Sequence, residues 1–257
     1  MHIGWITAFI DQPADVFEQG TRFWQEVTGS GLSAFRGSKS QFATLLPPDG
    51  DPYLRVQRIH GDQPRVHIDF HVDSIADAGR QARSAGATLS ADLGHLVMSS
   101  PSGLAFCLVS YDGESVRPVS AGDGHAHLVD QVCIDVPGHL FDEEAEFWHS
   151  LTGWELRPGS LDEFAFLARP SGLPIRLLLQ RLGPDDPGEI ARAHLDLACG
   201  DHVDDVAVVH ERIGADVGNR FPFWMTMRDP VGLEYCLTAR DQRTGLLPSS
   251  PAAGPDE

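Results

Sequence analysis

The sequence predicts an α+β protein of four βαβββ modules, two in each half of the chain. Two observations carry that prediction. First, one pattern is written twice: a strand bearing His-x-Asp, a helix closing on Gly-Ala, and a strand after Pro-x-Gly-Leu. It reads Val66-His67-Ile68-Asp69-Phe70, Ala85-Gly86-Ala87 and Pro101-Ser102-Gly103-Leu104, then Ala193-His194-Leu195-Asp196-Leu197, Ile213-Gly214-Ala215 and Pro230-Val231-Gly232-Leu233. Upstream, Phe23-Trp24 with Thr28-Gly29 answers Phe147-Trp148 with Thr152-Gly153, and Gln57-Arg58 answers Gln180-Arg181. The offset drifts only from 124 at the Phe-Trp pair to 129 between Cys107 and Cys236, as short loop insertions would cause. Such ordered self-similarity marks a duplication. Second, the order strand, helix, three strands occurs twice within each half.

Residues 3–10 read as a strand. A helix over 15–27 follows, with Val16, Gly20, Phe23, Trp24 and Val27 on one face and Gly29 as its stop. Strands are expected at 31–36, 41–46 and 53–59, divided by Gly37-Ser38 and Pro47-Pro48-Asp49-Gly50. The strand 65–72 leads into a helix capped by Ser74 and stopped at Gly86. Strands at 87–91, 95–99 and 104–110 end the half. Residues 1–113 are thus one domain, and 114–127, rich in Gly, Ser, Pro and Asp, form the linker. The second domain, 128–240, repeats the plan. Its strands fall at 129–136, 154–158, 163–168, 174–181, 193–199, 216–219, 224–228 and 233–239. Its helices are 141–152, striped by Phe141, Ala145, Trp148 and Leu151, and 203–213, with Val206, Val209 and Ile213 inward. Residues 241–257 read as a flexible tail.

Composition narrows the function classes. The net charge is −18, with 13 acidic against 9 basic residues up to Pro118 and 24 against 10 thereafter. Such a surface repels phosphate backbones, so nucleic acid is not an expected partner. It would steer a small cation toward the second half. No apolar run approaches a membrane span, no signal-type N-terminus is visible, and the cytoplasm is the default compartment. The four cysteines lie in apolar strands as buried thiols, and neither Cys-x-x-Cys nor His-x-x-x-His occurs to suggest structural zinc.

Strand alternation puts His67, Asp69 and His71 on one face, opposite Ile68, Phe70 and Val72. His194 and Asp196 likewise oppose Leu195 and Leu197. The apolar face must meet the helices, so the polar face meets water, a cavity or a partner. Cys107 shares a face with Ala105, and Cys236 with Glu234; Gln57 and Gln180 end apolar strands. A plainer reading of each residue stands beside this one. The histidines would be structural, bonded across the sheet, the aspartates would orient a neighbouring arginine such as Arg65 or Arg192, or a backbone amide, and the thiols would be small fillers. The run Phe221-Pro222-Phe223-Trp224 would line a cleft or cap the core.

These residues resemble the vicinal oxygen chelate superfamily of glyoxalases, extradiol dioxygenases and fosfomycin- and bleomycin-resistance proteins. Each half is most similar to a glyoxalase-like domain of actinobacterial type. The markers are Phe-Trp…Thr-Gly, the Gln-Arg strand end, His-x-Asp-Leu in the second half, Gly-Ala, and Pro-x-Gly-x-x-x-Cys-Leu. The resemblance spans most of residues 1–240. It implies curled mixed sheets around a cleft in each domain. Metal-using members take ligands from the first, fourth, fifth and eighth strands. The matching positions here are Trp5 or Gly4 and Asp130 or Gln131 on the first strands, Gln57 and Gln180, His67 and His194, and Cys107 and Cys236 where a glutamate is usual. This set lacks the anionic oxygen a hard divalent ion wants, so no cofactor is expected. The one place left for a divalent metal is His194 with Glu234, since Ala105 stands at the position of Glu234 in the first half.

Two functional readings follow. One is a protein that binds a small organic molecule by affinity alone, as in drug sequestration. Gln57, His67, Asp69, Cys107, Gln131, Gln180, His194, Asp196, Trp224 and Cys236 would line its clefts. The other is a metal-dependent lyase, isomerase or dioxygenase acting on a small oxygenated substrate, with His194 and Glu234 as its catalytic pair. Given Ala105 and its weak net charge, the first half is the candidate for mere scaffold. Superfamily members often dimerise, so the resemblance also offers a homodimer whose interface closes a site.

Overall fold

The computed structural model describes residues 1–120 and 126–248. The first half comprises β1 (Ile3–Pro13), α1 (Phe17–Thr28), β2 (Gly31–Leu32), β3 (Phe42–Leu46), β4 (Leu54–Ile59), β5 (Arg65–Val72), α2 (Ile75–Ser84), β6 (Thr88–Asp92), β7 (Leu96–Ser99) and β8 (Ala105–Ser110). The second comprises β9 (Leu128–Val136), α3 (Phe141–Thr152), β10 (Glu155–Pro158), β11 (Phe164–Ala168), β12 (Arg176–Arg181), β13 (Arg192–Ala198), α4 (Val203–Arg212), β14 (Asp216–Arg220), β15 (Trp224–Arg228) and β16 (Glu234–Thr238).

Each half folds into one open, mixed, eight-stranded sheet, ordered β2-β3-β4-β1-β5-β8-β7-β6 and β10-β11-β12-β9-β13-β16-β15-β14. In the first sheet β1 runs parallel to β4 and antiparallel to β5, and β5 runs parallel to β8. The second sheet repeats this around β9 and β13. The four-module α+β architecture expected from the duplication is therefore observed. Two modules join edge to edge at the central antiparallel pair of each sheet.

The helices form where apolar residues recur at helical spacing. On α1, Phe17, Gly20, Thr21, Phe23, Trp24 and Val27 are buried. Gly29 and Gly153 end α1 and α3 with φ of 61° and 70°, the left-handed region that costs glycine little. Ser74 caps α2, its Oγ accepting the Asp77 N–H at 3.3 Å.

The halves share one core, and each lends the other a helix face. Phe23 and Trp24 of α1 pack on Tyr235 of the second sheet, with ring centroids 6.0 and 5.3 Å away. In return Phe147 and Trp148 of α3 pack on Phe106 of the first sheet, at 5.8 and 5.4 Å. Both indoles are satisfied: Trp24 Nε1 donates to Asp229 Oδ2 at 3.0 Å, and Trp148 Nε1 to Glu144 Oε1 at 2.7 Å. The repeated Phe-Trp pair is thus core material for the opposite half.

Four expectations are corrected. Strand β1 runs on to Pro13, carrying Asp11 into the sheet. Strand β2 ends at Leu32, where the Ser33 side chain takes the Thr44 N–H, and backbone pairing returns only as an isolated Arg36–Phe42 bridge. On α4, Val209 is 39% exposed, and His210 takes the inward place, its Nδ1 2.9 Å from the Tyr235 hydroxyl. Residues 241–248 are docked rather than loose: Gly245 donates to Asp241, and the Arg176 guanidinium donates to the Gly245 carbonyl. The rest of the expected tail, 249–257, and linker residues 121–125 lie outside the described residues. Among the described residues, no helix is long and apolar enough to cross a membrane.

Candidate functional site

Each sheet turns its polar face to a cleft. The geometry is sharpest in the second sheet, where β9 and β13 register His194 against Cys133 and Asp196 against Gln131, and β16 sets Cys236 beside Asp196. Alternation therefore brings Gln131, Cys133, Asp135, His194, Asp196 and Cys236 to one face. His194 Nδ1 lies 3.0 Å from Asp135 Oδ2, and its Nε2 3.1 Å from Asp196 Oδ1 and 3.5 Å from Cys236 Sγ. Burial opposes a charge on this imidazole, yet the fields of Asp135 and Asp196 outweigh it and raise its pKa well above the ordinary histidine value. Burial pushes the Cys133 and Cys236 thiols up. They are therefore protonated near neutrality rather than nucleophilic.

The floor is held from behind. Gln131 donates to Asp196 Oδ2, Arg240 donates to Gln131 Oε1 at 2.7 Å, and Arg240 pairs with buried Asp130 at 2.7 Å. Over it stands a cavity of about 260 Å³, walled by Phe164, Phe166, Leu178, Phe223 and Trp224 and roofed by Leu246 and Leu247 of the docked tail. Trp224 meets Phe164 edge-on at 5.7 Å and stacks on Phe221 at 4.6 Å.

The first sheet repeats the motif. His67 Nδ1 lies 3.0 Å from Asp11 Oδ2, and its Nε2 3.5 Å from Asp69 Oδ1. Phe9, at the register position of Cys133, stacks on the imidazole at 4.5 Å. Here too burial opposes protonation, Asp11 outweighs it, and the pKa is raised. His67, Asp69 and Cys107 line a cleft of about 430 Å³ with Gln57.

Of the residues expected at a site, Gln131, Gln180, His194, Asp196, Trp224 and Cys236 line the second cleft, and Gln57, His67, Asp69 and Cys107 the first. Glu234 lines neither. Its side chain is 68% exposed and pairs with Arg228 at 2.7 Å on the neighbouring strand, so it does not join His194. Trp5 is buried and bonds the Pro52 carbonyl, and the register position matching Gln131 is Thr7. Sequence reasoning missed Asp11 and Asp135, the anchors of the two histidines. The alternation Gln131, Cys133, Asp135 carried that signal.

The fold family implies a divalent ion, and the residues present allow one. Asp196 Oδ1 is buried without a hydrogen-bond partner that meets normal geometry, and it faces His194 Nε2, so a proton or a cation belongs between them. His194, Asp196 and Cys236 each offer a ligand atom, all within 4.8 Å of one another, and His67, Asp69 and Cys107 match them. The carboxylate behind each histidine orients it as the outer partners of metal ligands do. With a thiol among the donors, the set suits a borderline ion such as zinc better than a hard one.

The sequence profile of the glyoxalase-like domain matches residues 7–109 and 131–238, and the chain belongs to that family. No curated protein sequence matches the chain. Among solved structures, 2,2',3-trihydroxybiphenyl 1,2-dioxygenase from Sphingomonas wittichii superposes with a TM-score of 0.64 at 16% identity, over 96% of this chain and 95% of that one. The Mn(II)-bound glyoxalase from Novosphingobium aromaticivorans gives 0.56 at 16% identity, over 96% and 87%. An extradiol ring-cleaving dioxygenase from B. fuscum gives 0.61 at 16% identity, over 95% and 73%. At such identities the likeness speaks for the fold.

Proposed function

We propose that the second cleft binds a small, planar, oxygen-bearing organic molecule between its aromatic wall and the His194 floor, and that affinity alone is its activity. The observation that carries this reading is the pairing of Phe164, Phe166, Phe223 and Trp224 with a floor of a few fixed polar groups, His194 held by Asp135 and Asp196 held by Gln131. Aromatic walls with a few fixed polar groups are what small-molecule sites present. The cationic ligand suggested by the acidic second half fits poorly. Arg176, Arg240 and a readily protonated His194 line the cleft, while Glu234 points to solvent. A neutral or weakly acidic ligand suits it better, as sequestration of an aromatic compound would require.

One observation favours a second reading. The convergence of His194 Nε2, Asp196 Oδ1 and Cys236 Sγ would hold a divalent ion, which when bound would act as a Lewis acid on a ligand oxygen. Asp135 would then keep the His194 Nδ1 proton and leave Nε2 to ligate, while the aromatic wall excludes water. That is the arrangement a lyase, isomerase or dioxygenase would use.

Calorimetry with 2-hydroxybiphenyl, alongside metal analysis of the purified chain, separates the readings. Metal-free protein that binds the probe, and loses about tenfold or more in affinity on Trp224→Ala, supports the first. Stoichiometric metal lost on His194→Ala supports the second. Metal-free protein that does not bind the probe contradicts both.

A further inference from the structure

Among the register positions at which the two clefts differ, one assigns them different ligands. On β4 the residue beside Phe9 is Arg55; on β12 the residue beside Cys133, the partner of Phe9 in the repeat, is Leu178. The first cleft thus has a guanidinium where the second has an aliphatic wall. Its other arginines are engaged. Arg36 donates to Ser33 and Thr44, and Arg65 donates to Asp11 at 3.0 Å. Arg55 lies over the Phe9 ring, 5.6 Å from its centroid, and its Nε is buried without a partner. Among the described residues it makes no hydrogen bond or ion pair.

Asp69 lines the same cleft and is the carboxylate whose field bears most strongly on Arg55. Its Oδ1 is buried and makes no hydrogen bond, only the 3.5 Å ion-pair contact with His67 Nε2, which leaves it room to accept from a ligand. An unspent guanidinium and an unspent acceptor in one cleft are both costly unless a ligand completes them. A planar carboxylate matches the guanidinium fork, and a hydroxyl beside it can donate to the aspartate. Phe9 and Phe42, whose rings meet edge-on at 6.3 Å, supply flat apolar surface for the rest.

We propose that the first cleft is a second, separate ligand site, for a small hydroxy-carboxylate whose acid group sits on Arg55 and whose hydroxyl donates to Asp69 Oδ1. This gives the first half a binding role in place of the scaffold role suggested by Ala105.

The test is calorimetric titration of the full chain with salicylate, benzoate and salicylamide. Wild-type protein should bind salicylate, bind benzoate more weakly for want of the hydroxyl, and ignore uncharged salicylamide. Arg55→Leu copies the residue the second sheet already carries at this position. It should weaken salicylate binding about tenfold or more, the loss expected for a charge-assisted bidentate contact, and Trp224→Ala should leave it unchanged. Three results would overturn the proposal: no salicylate binding, equal binding of salicylamide, or loss of binding in Trp224→Ala instead of Arg55→Leu. Because the wild-type ligand series needs no variant, the test stands even if Arg55→Leu misfolds. Because the Trp224 variant reads the other cleft, failure here is distinct from failure there.

Discussion

His194 shows how much one residue's chemistry depends on its neighbours. Asp135 and Asp196 bracket its ring at 3.0 and 3.1 Å, and their attraction wins over the cost of burying the charge. A raised histidine pKa adds stability that is complete below about pH 6.5 and is lost as pH rises through the folded value. Asp135→Asn removes the nearer anion. It should lower the His194 pKa toward the ordinary histidine value, read from its ring protons by NMR, and an unchanged titration would refute the bracket. His194 and Asp196 were legible in the sequence because His-x-Asp recurs on a strand. Asp135 was not, because the family pattern draws the eye to the start of β9, at Asp130 and Gln131. The same alternation misplaced Glu234: it shares a face with Cys236, but at the strand's first residue that face opens on solvent, where Arg228 takes the carboxylate.

At the scale of elements, the exchange of helix faces is what ties the halves together. Trp24→Phe leaves buried Asp229 without its indole donor, and Trp148→Phe does the same to Glu144. Each should cost about 1–3 kcal/mol in chemical denaturation, the penalty for stranding a buried acceptor. A loss near zero would mean that the carboxylates find other partners. Helix α4 adds an acid-sensitive point. Burial, with His127 nearby, pushes the His210 pKa down to about 3, and burial with the Arg55 charge pushes His71 down to about 4. Both are buried neutral and would take up protons on unfolding. Stability from them is present above about pH 6.5 and falls as pH drops toward the folded values. Melting temperature should therefore decline between pH 6.5 and 4, by the equivalent of roughly 2 kcal/mol or more. His210→Gln should flatten that slope; an identical slope would remove His210 as its source. Helices α1 and α3 could be read from their apolar stripes. The inward turn of His210 could not, because Val209 fits a helical stripe equally well until Tyr235 supplies a hydrogen bond.

For the whole molecule, duplication gives two sheets with one plan and two clefts with divergent linings. The order of elements was legible because each landmark occurs once in each half, in the same order. The pairing of β1 with β5 and of β9 with β13, and the stacking of α1 and α3 on the opposite half, depend on contacts between distant residues that no local pattern encodes. The docked 241–248 segment escaped for the same reason. Its anchors are backbone carbonyls meeting Arg176 and Arg117, and loop composition gives no sign of them. The segment lays Leu246 and Leu247 over the second cleft, so deleting residues from Gln242 onward should weaken ligand binding there without unfolding the sheet. Calorimetry on the truncated chain checks this, and unchanged affinity would show the roof to be incidental.

The claim that the second cleft takes a planar oxygen-bearing ligand against its aromatic wall is met most directly by soaking crystals of the full chain with phenolic fragments. Electron density for a ring lying against Trp224, its oxygen toward His194, is the predicted result. Fragments bound only outside that cleft, with Trp224 and His194 untouched, would contradict it.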